Sequence, residues 1–513
     1  MAEIRTLTAD GAPADTHIAV DNPATGAVVG HVSDATAQEV AQAIARARRA
    51  QPDWAALDAR SRAEYFTRAR RWLLSHRQEV TDLIVEENGK AREDAIVEIV
   101  YCAGAFAHWA KRARRLLAET RIRSLSPFVL GRSMYTRRVP LGVVGVIGPW
   151  NNPLLNSFGD AIPALAAGNA VVLKPSEHTP LTALLMERMA HECGWPEDVF
   201  QVVTGAGATG QALVDTADFI MFTGSTKTGR LVAARAGERL IPCSLELGGK
   251  DALVVLADAS LERAVNVTIQ GALSNGGQMC TSVERVYVEE PVYDAFVDLL
   301  RERFQQVTSG QPAGLGSVDV GAMTFPPQLA TVEDHVDDAV RKGARVLVGG
   351  RPAPGPGRFF TPTLLVDVDH GMKCMREETF GPTLPVMKVA DAEEAVRLVN
   401  DSSYGLQATV IGANTKRARR LAERLQAGCV TINDAQTNYM ALGLPMGGWK
   451  DSGLGVRHGA EGIRKYTKLQ AVSINRFPLR RDLHMIPYDP SAYRLILRLV
   501  DFMYGTRRPH REQ

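Results

Sequence analysis

The sequence predicts an α/β protein built from two parallel-sheet units, and three observations carry this. Between residues 141 and 247, short apolar runs of β character alternate with helical stretches, the pattern of a parallel sheet with crossover helices. A second alternation of the same kind begins near Asp251. A chain of 513 residues also exceeds what one hydrophobic core fills, so two or three domains are expected.

Residues 35–118 read as helices. Val40, Ala41, Ile44 and Ala45 recur at helical spacing, residues 65–74 are amphipathic, and Asn88-Gly89 is a turn signal between helices. In residues 128–136, two strand-like runs flank Gly131, which predicts a hairpin. Such a hairpin is either an arm that pairs with another subunit or an internal ribbon.

In the first α/β unit, strands are expected at residues 143–147, 170–173, 199–203 and 219–222. Helices are expected at 158–167, at 181–193 and from about Thr226. The strands end in Gly148-Pro149, Lys174-Pro175, Thr204-Gly205 and Thr223-Gly224, and ligands of open α/β sheets bind at those carboxyl ends. In the second unit, strands are expected at 253–256, 285–288 and 345–348, with helices at 261–273 and 293–307. Residues 310–316 and 351–357 are Gly/Pro-rich loops.

Composition excludes several classes of function. There are 59 basic and 57 acidic residues, a net charge of +2, which gives no reason to invoke nucleic acid or an acidic partner. The six cysteines are too sparse for a disulfide framework and lack zinc-ligand spacing, so no metal is expected. Free thiols in a reducing, cytoplasmic setting are the simplest expectation. Residues 1–14 lack the apolar core of a secretory signal, and no apolar run reaches the roughly 18 residues of a membrane span.

Chemistry concentrates in a few segments. Cys280 follows Gly276-Gly277-Gln278-Met279, a thiol among small and flexible residues. Glu246 stands between Leu245 and Leu247 and precedes Gly248-Gly249, and apolar surroundings would raise its pKa into the range of a useful base. Asn151, between Pro149 and Pro153, is a preorganised amide donor able to stabilise an oxyanion. Residues 222–229 follow a strand and open a helix, where glycine and free N–H groups can receive a phosphate, although the G-x-G-x-x-G pattern is absent. Lys174 and Glu177, three apart at a strand's carboxyl end, can reach ribose hydroxyls. A carboxylate there favours NAD over NADP. Each segment alone is equally compatible with a helix cap, a surface pair or an inert thiol.

Taken together and in order, these segments resemble the aldehyde dehydrogenase superfamily from about residue 20 to 475. The match rests on Pro149-Trp150-Asn151, Lys174-Pro175-Ser176-Glu177, residues 224–229, Leu245-Glu246-Leu247-Gly248-Gly249-Lys250, Gly277-Gln278-Met279-Cys280, residues 377–382 and Pro445-Met446-Gly447-Gly448. The resemblance implies a Rossmann-type NAD(P)-binding domain (1–121 and 141–248) and a catalytic domain (249–447). It also implies an oligomerisation arm (122–140 and 460–475), a C-terminal extension (476–513), and a homodimer or homotetramer. It implies Cys280 as nucleophile toward an aldehyde, with the oxyanion held by Asn151 and the Cys280 N–H. A thioester would then be hydrolysed by water that Glu246 activates. For the cofactor, NAD or NADP, it implies Lys174 and Glu177 at the adenosine ribose, Ser225 with Gly224 and Gly229 at the pyrophosphate, and Glu378 at the nicotinamide ribose. Phe380, Trp150, Leu247 and Gly248 complete that side. A non-catalytic scaffold would be expected to have lost Cys280, Glu246 or Asn151, and all three are present.

Residues 446–467 and the long tail resemble a bacterial succinate-semialdehyde dehydrogenase subgroup, which makes succinate semialdehyde the named substrate to expect. Two departures oppose it, because Asp160 and Ser274 stand where relatives carry cations. The alternative is a medium- or long-chain or aromatic aldehyde, with the apolar tail 493–504 lying on a membrane surface. Docking of that tail on the protein's own body or on a neighbouring subunit is the preferred expectation.

Overall fold

A computed structural model describes residues 17–124, 126–129, 131–482 and 484–505. Residues 1–14, read above for a signal, lie outside the described residues, as do Leu130 and the tail's Arg507, Arg508 and Arg511. The chain forms two compact units. One holds the chain up to Ala113 together with Pro140–Tyr466, and the other holds Arg114–Val139 and the chain from Thr467 onward.

The larger unit opens with an antiparallel pair, β1 (His17–Asp21) and β2 (Val28–Ser33). Four helices follow, Ala37–Ala56, Ala59–Ser75, Arg77–Asn88 and Arg92–Leu116, the last running across the boundary between units. The first begins at a capping box in which the Thr36 hydroxyl accepts the Glu39 N–H and the Glu39 carboxylate accepts the Thr36 N–H. The third ends at Gly89, whose φ of 81° stops the helix as expected.

Two sheets then form. The first is ordered β19-β9-β8-β5-β6-β7, from β5 (Val143–Ile147), β6 (Ala170–Lys174), β7 (Phe200–Val202), β8 (Phe219–Thr223), β9 (Cys243–Glu246) and β19 (Gly453–Leu454). All its pairings are parallel except β19 with β9. Every residue of β5, β6 and β8 is buried, as expected where helices cover both faces. The register pairs Ile147 with Lys174 and with Phe222, and Thr223 with Glu246. The carboxyl ends of β5, β6, β8 and β9 therefore share one edge.

The second sheet is ordered β12-β13-β14-β11-β10-β16-β17, from β10 (Asp251–Val255), β11 (Val283–Glu289), β12 (Arg345–Val348), β13 (Thr363–Val366), β14 (Thr383–Val389), β16 (Gln407–Ile411) and β17 (Cys429–Ile432). Its strands alternate faces with period two. Leu253 and Val255 enter one apolar cluster, while Ala252 and Val254 enter the other. Each fully buried Leu, Ile or Val in these clusters contributes about 1.5–3 kcal/mol.

The smaller unit carries a sheet ordered β20-β4-β3, from β3 (Thr120–Ile122), β4 (Arg132–Pro140) and β20 (Thr467–Asn475). The expected hairpin is present, but its first strand is β3, with Thr120 opposite Thr136. Phe128 and Val129 belong instead to a short 3-10 turn, Pro127–Val129. A proline at the start of that segment has no N–H to give to a ladder, which explains why it turns.

The tail forms the helix Pro490–Tyr504, capped where Asp489 accepts the Ser491 N–H at 2.8 Å. Ala492 and Ile496 are buried, whereas Leu495, Leu497, Phe502 and Tyr504 are exposed. No described helix is long and apolar enough to cross a membrane.

Candidate active site

In the larger unit, the loops leaving β5, β8 and β9 meet the loops entering β11 and β14 around a cavity of about 250 Å³. Asn151, Glu246 and Cys280 line it together. So do Trp150, Gly224, Ser225, Leu247, Gly248, Glu378 and Phe380. Lys174, Glu177 and Gly229 stand outside its lining.

The turn after β5 carries Asn151. It runs into a wide π-type turn, Pro153–Phe158, before the helix Gly159–Ala166, so the helix expected over 158–167 has an irregular lead-in. Such backbone needs outside partners. Lys90 supplies them, since its ammonium donates to Glu98 (2.7 Å), to the Asn151 carbonyl (2.7 Å) and to Asn152 Oδ1 (2.9 Å). The other Glu98 oxygen accepts the N–H groups of Leu154 and Leu155, both at 2.9 Å. The Asn151 amide donates to the Gln278 carbonyl at 2.8 Å, which ties it to the Cys280 loop.

That loop turns through three successive left-handed residues, Asn275, Gly276 and Gly277 (φ 52°, 62° and 72°). A Cβ on Gly277 would lie 2.1 Å from the Gly381 carbonyl oxygen, so only glycine fits. Asn275 donates to the Asn151 carbonyl at 2.9 Å, and Gln278 accepts the Thr324 N–H at 2.9 Å. Cys280 opens partly on the cavity. Burial pushes its thiol up to about 12; Arg457 opposes this, while Asp251, Glu246 and Glu378 add to it.

Glu246 ends β9, and its Oε1 makes no hydrogen bond among the described residues. Burial pushes it up to about 7 against the pull of Arg457 and Lys465, with Asp160 adding to the rise. Lys465 donates to Ser244 Oγ at 3.0 Å, on the strand face that Glu246 shares. Burial lowers the Lys465 ammonium despite Asp160 and Glu246.

Asp160, expected to mark a missing cation, is instead the partner of one. Arg457 grips it with two hydrogen bonds of 2.8 and 2.7 Å, and both side chains are buried. The remaining Arg457 N–H groups go to Thr223 Oγ1 (2.8 Å), Tyr439 OH (3.2 Å) and Asn156 Oδ1 (3.3 Å).

Glu378 Oε1 accepts the Gly249 N–H at 2.9 Å. Burial, then the neighbouring Glu284, raises Glu378 to about 8. A buried Lys250–Glu284 pair (2.6 Å) holds the segment in place, because Glu284 accepts the N–H groups of Thr379 (2.7 Å) and Phe380 (2.9 Å). Phe380 sits at φ 51° and meets the Trp150 ring edge-on at 5.4 Å. Ser225 caps the helix Thr226–Glu238. Lys174 and Glu177 are 3.4 Å apart.

The chain matches the model of the aldehyde dehydrogenase family over residues 10–472. The chain belongs to this family. Among its relatives, a Mycobacterium ulcerans protein with the provisional name succinate-semialdehyde dehydrogenase [NADP(+)] 2 is 40% identical over 460 residues, 89% of this chain and 88% of that protein. The 4,4'-diapolycopene aldehyde oxidase of Methylomonas is 39% identical over 495 residues, 96% of this chain and 92% of that protein. Betaine aldehyde dehydrogenase from Staphylococcus aureus, solved in complex with NAD+, superposes with a TM-score of 0.86 at 30% identity, covering 90% of this chain and 92% of the other. As an aldehyde dehydrogenase, this protein is an oxidoreductase with the family's mixed α/β architecture.

Lys90, Glu98 and Glu284, which shape the aldehyde dehydrogenase site, escaped sequence reading, and Arg457 and Lys465 entered it only as part of the resemblance over residues 446–467. A Lys or Glu inside a helical or strand run reads as surface, and nothing local shows that Arg457 meets a carboxylate 297 residues away. Breaking one buried pair leaves the other charge uncompensated, at a cost of about 3–5 kcal/mol. Lys90→Met therefore lowers the calorimetric Tm sharply, whereas Lys90→Met with Glu98→Leu recovers part of the loss. Equal losses in the single and double variants would show that the charge left on Glu98 is not the cause.

Proposed function

We propose that this protein oxidises an aldehyde to the carboxylic acid with NAD, NADP being accepted less well, through a thioester on Cys280. The observation that carries this is the shared cavity of Cys280, Glu246 and Asn151. The cavity's other residues fit a dinucleotide. A helix start behind Gly224 and Ser225 offers backbone N–H groups to a pyrophosphate. A Cβ on Gly248 would lie 2.5 Å from Glu378 Oε2, so only glycine lets that carboxyl reach the cavity. Glu378 would hold the nicotinamide ribose, between Phe380 and Gly248. Lys174 and Glu177 would hold the adenosine ribose, and Glu177 would repel a 2′-phosphate. Gly229 would let Leu247 close behind the pyrophosphate, since a Cβ there would lie 2.4 Å from Leu247 Cδ2.

Cys280 sulfur attacks the aldehyde carbon, a C–S bond forms, and the thiol proton leaves toward Glu246. The developing oxyanion is met by the Asn151 amide and the Cys280 N–H. A nicotinamide cofactor bound beside Glu378 and Phe380 would supply the oxidation, as the hydride acceptor that leaves a thioester on Cys280. Glu246, once it has passed the thiol proton to solvent, then removes a proton from water as the water attacks. The C–S bond breaks, the sulfur takes a proton back from Glu246, and the acid is released. The relatives' names point to two different aldehydes, the carboxylate-bearing succinate semialdehyde and the long hydrocarbon 4,4'-diapolycopene aldehyde. Succinate semialdehyde is the first compound to test.

Cys280→Ala abolishes NAD reduction with every aldehyde while calorimetric binding of NAD persists. Turnover near wild type would refute the nucleophile assignment. Glu246 must be ionised to act, and burial raises it to about 7, so turnover limited by thioester hydrolysis rises with pH through about 7 and then levels. Lys465→Met removes a charge that favours the carboxylate, so it moves this rise to higher pH. An unmoved profile in stopped-flow and steady-state measurements would exclude Glu246 as the group that titrates.

A further inference from the structure

We propose that the aldehyde taken by this site is uncharged with an apolar body, rather than one carrying a second carboxylate; this rests on the aldehyde-oxidising reading above. A second, narrow mouth of about 50 Å³ is lined by Met279 and Thr281, the residues on either side of Cys280. Val97, Leu155, Met279, Tyr439 and Met440 form the apolar part of its walls, and the carboxylates Asp94 and Glu98 and neutral polar groups such as Gln270 and Gln436 form the rest. Among the described residues, no Lys, Arg or His lines it or the Cys280 cavity. Val97 and Met440 are exposed at its rim, and Val100, one helical turn from Val97, continues the apolar stripe outward.

Arg457 and Lys90, buried behind these walls, are already committed. A guanidinium has five N–H groups, and those of Arg457 go to both Asp160 oxygens, Thr223, Asn156 and Tyr439. An ammonium has three, and those of Lys90 go to Glu98, Asn151 and Asn152. Ser274 at the mouth is likewise bonded to Gln270 and Gln436. The carboxylate of succinate semialdehyde lies three C–C bonds from the aldehyde carbon, about 4 Å. Seated at Cys280, it would enter this mouth, lose water, meet Asp94 and find no donor cation. An alkyl chain meets Leu155, Met279 and Val97 without that cost.

The test uses the purified full-length protein and steady-state NAD reduction with matched four-carbon substrates, butanal and succinate semialdehyde, followed by octanal. Expected is a kcat/KM for butanal about tenfold or more above that for succinate semialdehyde, rising further for octanal. Ser274→Arg, which brings a cation to the mouth, shifts the ratio toward succinate semialdehyde by about tenfold. A wild-type preference for succinate semialdehyde overturns the substrate inference and leaves the reaction intact. Absence of turnover with all three aldehydes, with NAD and with NADP, overturns the reaction itself.

Discussion

Lys90 and Glu98 meet at 2.7 Å with both side chains fully buried, and the turn carrying Asn151 hangs on that pair. The loops that build the site are irregular, so their peptide groups have no ladder or helix to satisfy them. Buried charges do it instead. The Lys90–Glu98 pair holds the Asn151 turn, Lys250–Glu284 holds the Glu378–Phe380 segment, and Arg457–Asp160 joins the helix Gly159–Ala166 to the end of β8 through Thr223. Arg457 and Asp160 are 297 residues apart, whereas Lys90 and Glu98 are 8 apart, and each pair is costly to bury unless every lone pair and proton finds a partner. Here nearly all do, which makes the loops rigid enough for chemistry without regular structure.

Legibility in the sequence follows from whether a signal is local. The alternation of β runs and helices is local, and β5, β6, β7, β8, β10, β11 and β12 fall close to where it places them, whereas β9, β13, β14, β16 and β17 were not read as strands. Asn151 and Cys280 are legible for the same reason, because prolines and glycines beside them announce unusual backbone. Asp160 was not, since its meaning depends on Arg457, and a carboxylate seen alone looks like a lost cation. The hairpin fails at its first arm for a related reason. Phe128 and Val129 have β-type side chains, but the proline before them removes a donor, and the shorter run at Thr120–Ile122 pairs in their place.

Desolvation acts on both reacting groups in the same sense and with opposite consequence. It raises Glu246 to about 7, where the carboxylate is a base of useful strength near neutral pH, and raises the Cys280 thiol to about 12, where little thiolate exists at rest. A resting thiol of that kind is poorly reactive toward oxidants, which attack the thiolate. In the mechanism proposed above, the proton would therefore leave as the C–S bond forms and the negative charge passes to oxygen, beside the Asn151 amide. On that proposal Asn151 would bear on the nucleophile as well as on the oxyanion. Its hydrogen bond to Gln278 ties it to the residue two before the thiol, so that role would depend on the same turn that Lys90 and Glu98 hold.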